Sequence, residues 1–147
     1  MYKHILLATE LTDESAPIEE KAAKIQKLTG AELSIVHVNE YIPPVYPMEG
    51  MAITYNYQEV RESLNRTAEE MLSEVKQRLS VSDSKTSVLE GPISDQILSY
   101  AEEHNVDLIV TGSHGRHGIS ILLGSTANAL LHSAKCDVLA VRIKGEQ

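Results

Sequence analysis

The chain has no tryptophan and no phenylalanine, and only one cysteine among its 147 residues. Without Trp and Phe, the aromatic platforms on which single-stranded nucleic acids stack are poorly supplied. A lone Cys136 excludes an intrachain disulfide and fits a reducing cytoplasm. Positive charge is scarce too: 13 Lys and Arg face 21 Asp and Glu, a formal net charge of −8. Non-specific nucleic-acid binding and anionic membrane surfaces both want a basic patch, so neither partner is expected. A mononucleotide is not excluded, because its phosphates sense only the local loop. No apolar run approaches the roughly 18–20 residues of a membrane span. The opening residues 1–8 lack the length and cleavage site of a signal peptide, so a cytoplasmic location is expected. The length suits one domain, residues 1–147, with a substantial core.

What the chain does have is a conspicuous stretch at residues 108–126. The apolar Leu108, Ile109 and Val110 lead through Thr111 to Gly112, and glycines recur at Gly115, Gly118 and Gly124. Residues 125–131 then read as a helix. A strand, a glycine-rich loop and a helix N-terminus in this order favour anions. Glycines let the backbone turn and approach a ligand closely. The unpaired N–H groups of a helix start, with its dipole, favour negative charge. Ser125 and Thr126 add hydroxyl donors. A Walker A loop is excluded, because Ser125 stands where the phosphate-binding Lys belongs. The dinucleotide fingerprint is excluded as well, since that motif opens a first βαβ unit and this loop comes late.

The rest of the chain alternates. Residues 4–8 form a short continuous apolar run, as expected of a strand buried on both faces. Thr12, Asp13 and Ser15 are candidate N-caps for a helix carrying Ile18, Ala22, Ile25 and Leu28, stopped by Gly30. Residues 33–38 are a second strand. Residues 40–57 hold Pro43, Pro44, Pro47, Gly50 and several tyrosines without a period, and read as a long mobile loop. Tyr41, Tyr46, Tyr55 and Tyr57 either cover a ligand or pack the loop onto its own domain or a partner subunit. The longest helix begins near Gln58 and runs to Leu79. A strand at 86–90 follows, then Pro92 as the first residue of a third helix. A fourth strand covers 106–110, and a fifth covers 136–143. This βαβ(loop)αβαβαβ order implies a parallel sheet with helices on both faces. Ligands in such folds bind beyond the carboxyl ends of strands, where the strand order reverses. Whether strands one and four are neighbours there is not readable from the residues.

Taken together, residues 2–8, the strand ending His37-Val38, residues 107–115, residues 122–126 and the ending 136–142 resemble the universal stress protein family over essentially the whole length. The resemblance implies a doubly wound five-stranded parallel sheet of order 3-2-1-4-5, of the adenine nucleotide alpha hydrolase-like kind. Its nucleotide-binding branch carries Gly, two residues, Gly, nine residues, Gly-Ser/Thr. Gly112 and Gly115 match the first part, and the gap from Gly115 to Gly124 is eight residues. The resemblance implies ATP, with Mg2+, at the meeting of strands one and four. Backbone N–H groups of Gly115, Gly124, Ser125 and Thr126 would hold the phosphates, with the Ser125 hydroxyl assisting. Val38 would meet adenine through its backbone, and Gly112 would lie near the ribose. Around them stand Ala8, Thr9 and Thr111. Glu10 takes the place of an Asp that normally faces the ribose or the metal, and it can accept hydrogen bonds or reach Mg2+. His114 and Arg116 either neutralise phosphate charge or are solvated loop residues. Another branch of the family lacks the glycines and does not bind ATP; this chain keeps them.

Catalytic machinery is not evident. There is no Gly-x-Ser-x-Gly elbow, and Ser113 beside His114 is not a triad by adjacency alone. His114, His117, His132 and Cys136 match no standard zinc spacing. His37 reads as a hydrogen-bonded structural residue. The expected function is a stress-response protein that binds ATP and acts as a regulatory homodimer through the edge strand 136–143. The alternatives are an interaction module without nucleotide, working through the same dimer surface, or a slow ATPase or autokinase.

Overall fold

The computed structural model describes residues 1–40, 56–81, 84–114 and 123–143. Most of the Pro/Tyr-rich loop assigned to 40–57, together with Gly115, Arg116, His117 and Gly118, lies outside the described residues.

Strand β1 (His4–Ala8) is the centre of the sheet. Ile5, Leu6 and Leu7 have no solvent exposure. Successive side chains of a strand point to opposite faces. Ile5 and Leu7 therefore enter one apolar cluster and Leu6 the other. That is the reason for an uninterrupted apolar run: both faces of β1 are covered. On the first face lie α1 (Ala16–Thr29) and α2 (Tyr57–Leu79), which contribute Ile18, Ala22, Leu72, Val75 and Leu79. On the second lie α3 (Ile93–Glu103) and α4 (Ser125–Ser133), with Ile97, Tyr100, Ala101 and Leu130.

The sheet order is β3-β2-β1-β4-β5, all pairs parallel, with β2 at Glu32–Asn39, β3 at Lys85–Glu90, β4 at Leu108–Gly112 and β5 at Asp137–Val141. This is the order the family resemblance implied. The chain adds β2 and β3 on one side of β1, then crosses to add β4 and β5 on the other. The carboxyl ends of β1 and β4 are thus where the winding reverses. In such folds ligands bind in the crevice beyond the carboxyl ends of the strands at that point.

Local signals set most element ends. Gly30 takes a left-handed φ of 71° and its N–H closes α1 on Gln26 O at 2.8 Å. Asn56 caps α2 by accepting from the Glu59 amide at 3.2 Å. Three expected boundaries move. Pro92 is not the first residue of α3 but its N-cap, with an extended ψ of 130°. The Gly91 amide still bonds to Asn39 O at 3.0 Å, so the chain leaves the sheet one residue later than the Pro-first pattern supposes. The fourth strand runs from Leu108 to Gly112 rather than over 106–110. Val106 N–H still closes α3 on Ala101 O at 2.9 Å. Asp107 turns its carboxylate onto the amides of Lys3 and His4, at 2.8 and 3.0 Å. The ladder to β5 then carries Thr111 and Gly112 with it. The fifth strand is shorter than 136–143, ending at Val141.

Candidate functional site

A cleft opens at the reversal point, with about 740 Å3 of empty space counting the part open to solvent. Each wall comes from the end of a different element. The end of β1 supplies Ala8, Thr9 and Glu10; the end of β2 supplies Val36, His37 and Val38; the end of β4 supplies Thr111, Gly112 and His114. Gly124 and Thr126 line it from the start of α4, and Ile93 and Ile97 from α3. The lining is therefore apolar towards β2 and α3, and polar towards the β1–α1 turn and α4. Glu10 and Glu14, both exposed, put two carboxylates on the α1 side.

The start of α4 has the electrostatics of an anion site in part. Gly124 offers no capping side chain, and the first intrahelical bond is Asn128 N–H to Gly124 O, 2.9 Å. Among the described residues, the amides of Ser125, Thr126 and Ala127 have no acceptor, as is normal for the first turn. The Gly124 amide differs from expectation: it donates to Ser113 O at 2.7 Å. Ser125 differs as well. Its side chain is exposed and lines the adjoining depression beside Gly91 and Pro92, not the cleft. One step along the helix rotates the side chain by about a hundred degrees, so Thr126 borders both the cleft and that depression, whereas Ser125 borders the depression alone.

Gly112 makes a close approach rather than a turn. It sits inside β4, and a Cβ there would lie 2.7 Å from Ile18 Cδ1. The glycine lets α1 pack down against the sheet end, where Ile18 floors the cleft. His114 lies 2.9 Å from the Ser113 hydroxyl through Nδ1. His37 has the structural bond expected of it: its Nδ1 is 2.8 Å from Thr9 O, and since a carbonyl only accepts, Nδ1 carries the proton.

Several contributors were not legible in the sequence. Thr12, Glu14, Ser15, Ile18 and Ile143 reach the cleft by tertiary placement. Glu19, only 1% exposed, sits beneath it. The signal for Glu19 was its phase on α1, between Ile18 and Ala22 on the inward face. Among the described residues no group of three or more His, Cys, Asp or Glu side chains could by itself hold a metal ion. Nor is any of their helices long and apolar enough to cross a membrane.

This geometry can be set beside known proteins. A universal stress protein A homolog 2 from Coxiella burnetii is 43% identical over 145 residues, covering 98% of this chain and 97% of that protein. In three dimensions the chain is similar to a universal stress protein solved in complex with cAMP, with a TM-score of 0.73, 22% identity, and coverage of 97% and 99%. It is also similar to a universal stress protein from Archaeoglobus fulgidus in complex with dAMP, with a TM-score of 0.62, 21% identity, and coverage of 97% and 98%. At such identities the two structures speak for the fold. The family's own sequence profile, however, matches residues 1–142, from before β1 to just past the end of β5. With that span and a relative above 40% identity, the chain belongs to the universal stress protein family.

Proposed function

We propose that this protein binds an adenine nucleotide, ATP together with Mg2+, in the cleft between β1 and β4, and that it acts as a regulatory homodimer. The observation that carries the reading is the cleft itself, placed at the reversal point with the uncapped start of α4 on its rim. The apolar side, with Val36, Val38, Ile93 and Ile97, suits a flat base. The polar side suits phosphates, with the Thr126 amide and hydroxyl as donors. Gly115, Arg116 and the backbone amide of Ser125 are the further candidate phosphate contacts, and His114 a further charge partner. Mg2+ would offset the repulsion between phosphates and the carboxylates Glu10 and Glu14, with Glu10 as its protein ligand and phosphate oxygens completing the shell. Structural neighbours solved in complex with cAMP and with dAMP support the nucleotide class.

The dimer reading is supported by β5. It is the last strand of the sheet, and Val138, Leu139 and Ala140 are only half-buried. An apolar edge is covered economically by the same edge of a second copy, with twofold symmetry. A second reading, an interaction module without nucleotide, draws on Gly124, whose amide is already engaged by Ser113.

Calorimetric titration with ATP and Mg2+, alongside sedimentation, tests both. Saturable one-site binding and a dimeric sedimentation coefficient are expected. No heat and no thermal stabilisation at millimolar ATP would leave the interaction module as the function. A monomer at micromolar concentration would remove the dimer.

A further inference from the structure

Behind the cleft wall lies a buried polar chain, running from Thr9 to Glu19 and Arg78, whose side-chain hydrogen bonds the nucleotide reading does not use. Thr9, 4% exposed, donates its hydroxyl proton to Glu19 Oε2 at 2.7 Å. The same Thr9 oxygen accepts the amide of Leu11 at 3.1 Å. The other oxygen of Glu19 pairs with the Arg78 guanidinium from the last turn of α2. Glu19 is 1% exposed, whereas Arg78 is about half-exposed. A carboxylate only accepts, so it dictates where the Thr9 proton points. The hydroxyl lone pair is thereby left to face Leu11. This matters because Leu11 has a φ of 59°, a left-handed conformation that leucine rarely adopts. Between Thr9 and Leu11 sits Glu10, on the cleft wall.

We infer that Thr9, Glu19 and Arg78 form a positioning relay: the buried carboxylate, held by α2, orients the Thr9 hydroxyl, which locks the left-handed turn that presents Glu10 to the ligand. The inference deepens the nucleotide reading and rests on it for its consequence in binding. The geometry of the turn stands independently. The Thr9 backbone is already pinned by its own N–H to Val36 O at 3.0 Å and by His37 on its carbonyl. The hydroxyl thus has one remaining task, the turn. Glu19 and Arg78 do not line the cleft and act through Thr9 and Glu10, which do.

Two variants separate orientation from packing. Thr9→Val keeps the shape and loses the hydroxyl. Thr9→Ser keeps the hydroxyl and loses a methyl group. Amide hydrogen exchange of the nucleotide-free protein reads the Leu11 N–H directly, and calorimetry with ATP and Mg2+ reads binding. Leu11 exchange is expected to accelerate at least about tenfold in Thr9→Val and to stay near wild type in Thr9→Ser. ATP affinity is expected to fall by about tenfold in Thr9→Val, the worth of one hydrogen bond, and to be restored in Thr9→Ser. Glu19→Gln, which still accepts but no longer pairs with Arg78, is expected to fall between them. The reverse order, Ser worse than Val, would mean a packing role and overturn the inference. So would fast Leu11 exchange with unchanged ATP affinity. If the wild type binds no ATP, the nucleotide reading fails, and the exchange data still decide whether the relay holds the turn. Circular dichroism confirms that each variant is folded.

Discussion

Replacing Gly112 by Ala tests the packing at the floor of the cleft. The added Cβ would lie 2.7 Å from Ile18 Cδ1, and 3.7 Å from both His114 O and Ile143 Cδ1. Only the first contact is too short. No left-handed φ is involved, since Gly112 pairs with Val141 inside β4. The cost is therefore steric and lies on Ile18, whose Cδ1 is the end of the side chain and must shift along the cleft that it lines. Inserting a methyl into a packed site costs about 1–3 kcal/mol. Replacing a strand glycine by alanine returns about 0.5–1 kcal/mol through the unfolded chain. The net is a loss of about 0–2.5 kcal/mol, or a melting temperature lower by up to about 10 °C at this chain length. Ile18→Val removes the clashing Cδ1 and costs about 0.5–1.5 kcal/mol by itself. In that background Gly112→Ala should be neutral or stabilising. Urea and thermal unfolding of the four proteins, followed by circular dichroism, closes the cycle. If Gly112→Ala costs the same in both backgrounds, Ile18 is not the reason for the glycine and the account of the cleft floor is wrong.

Two further outcomes follow from the charges. The described lining of the cleft carries Glu10 and Glu14 and no Lys or Arg, so ATP affinity should fall at least about tenfold when EDTA removes Mg2+, while AMP, with less charge to offset, should change little. Equal ATP binding with and without the metal would contradict the role given to Glu10. Cys136 has its thiol pKa pushed up by burial, and further by the nearby Asp137 and Asp107. Its reaction with a disulfide reagent at pH 7 should be slower than in the urea-unfolded chain, with the rate rising only above the ordinary thiol range. Because the folded value is the higher one, this group's contribution to stability is full below the unfolded pKa and is lost as pH rises through the folded pKa. A folded-state inflection at or below the unfolded one would reverse that assignment.

Much of the architecture was legible because it is written within a few residues. The run Ile5-Leu6-Leu7 announces a strand covered on both faces. The spacing of Ile18, Ala22 and Ile25 announces α1, and Gly30 stops it where a left-handed residue is needed. The sheet order came only with the family resemblance, since nothing in the residues themselves says that β4 crosses to the far side of β1. The two-residue displacement of β4 was invisible for a similar reason. Asp107 leaves the strand to serve amides at Lys3 and His4, more than a hundred positions away.

At the site the division is sharper. Residue order alone determined that a glycine-rich segment follows an apolar strand and precedes a helix, since helix phase, turn chemistry and capping act over a few neighbouring positions. Only the folded chain decided that Thr126 faces the cleft while Ser125 does not, that Ser113 engages the Gly124 amide, and that Gly112 makes room for Ile18. It alone joined Thr9 and Glu19 to Arg78, across two helices and a strand. Such contacts depend on how helices sit on the sheet, a balance of side-chain volumes over the whole core that no local stretch encodes.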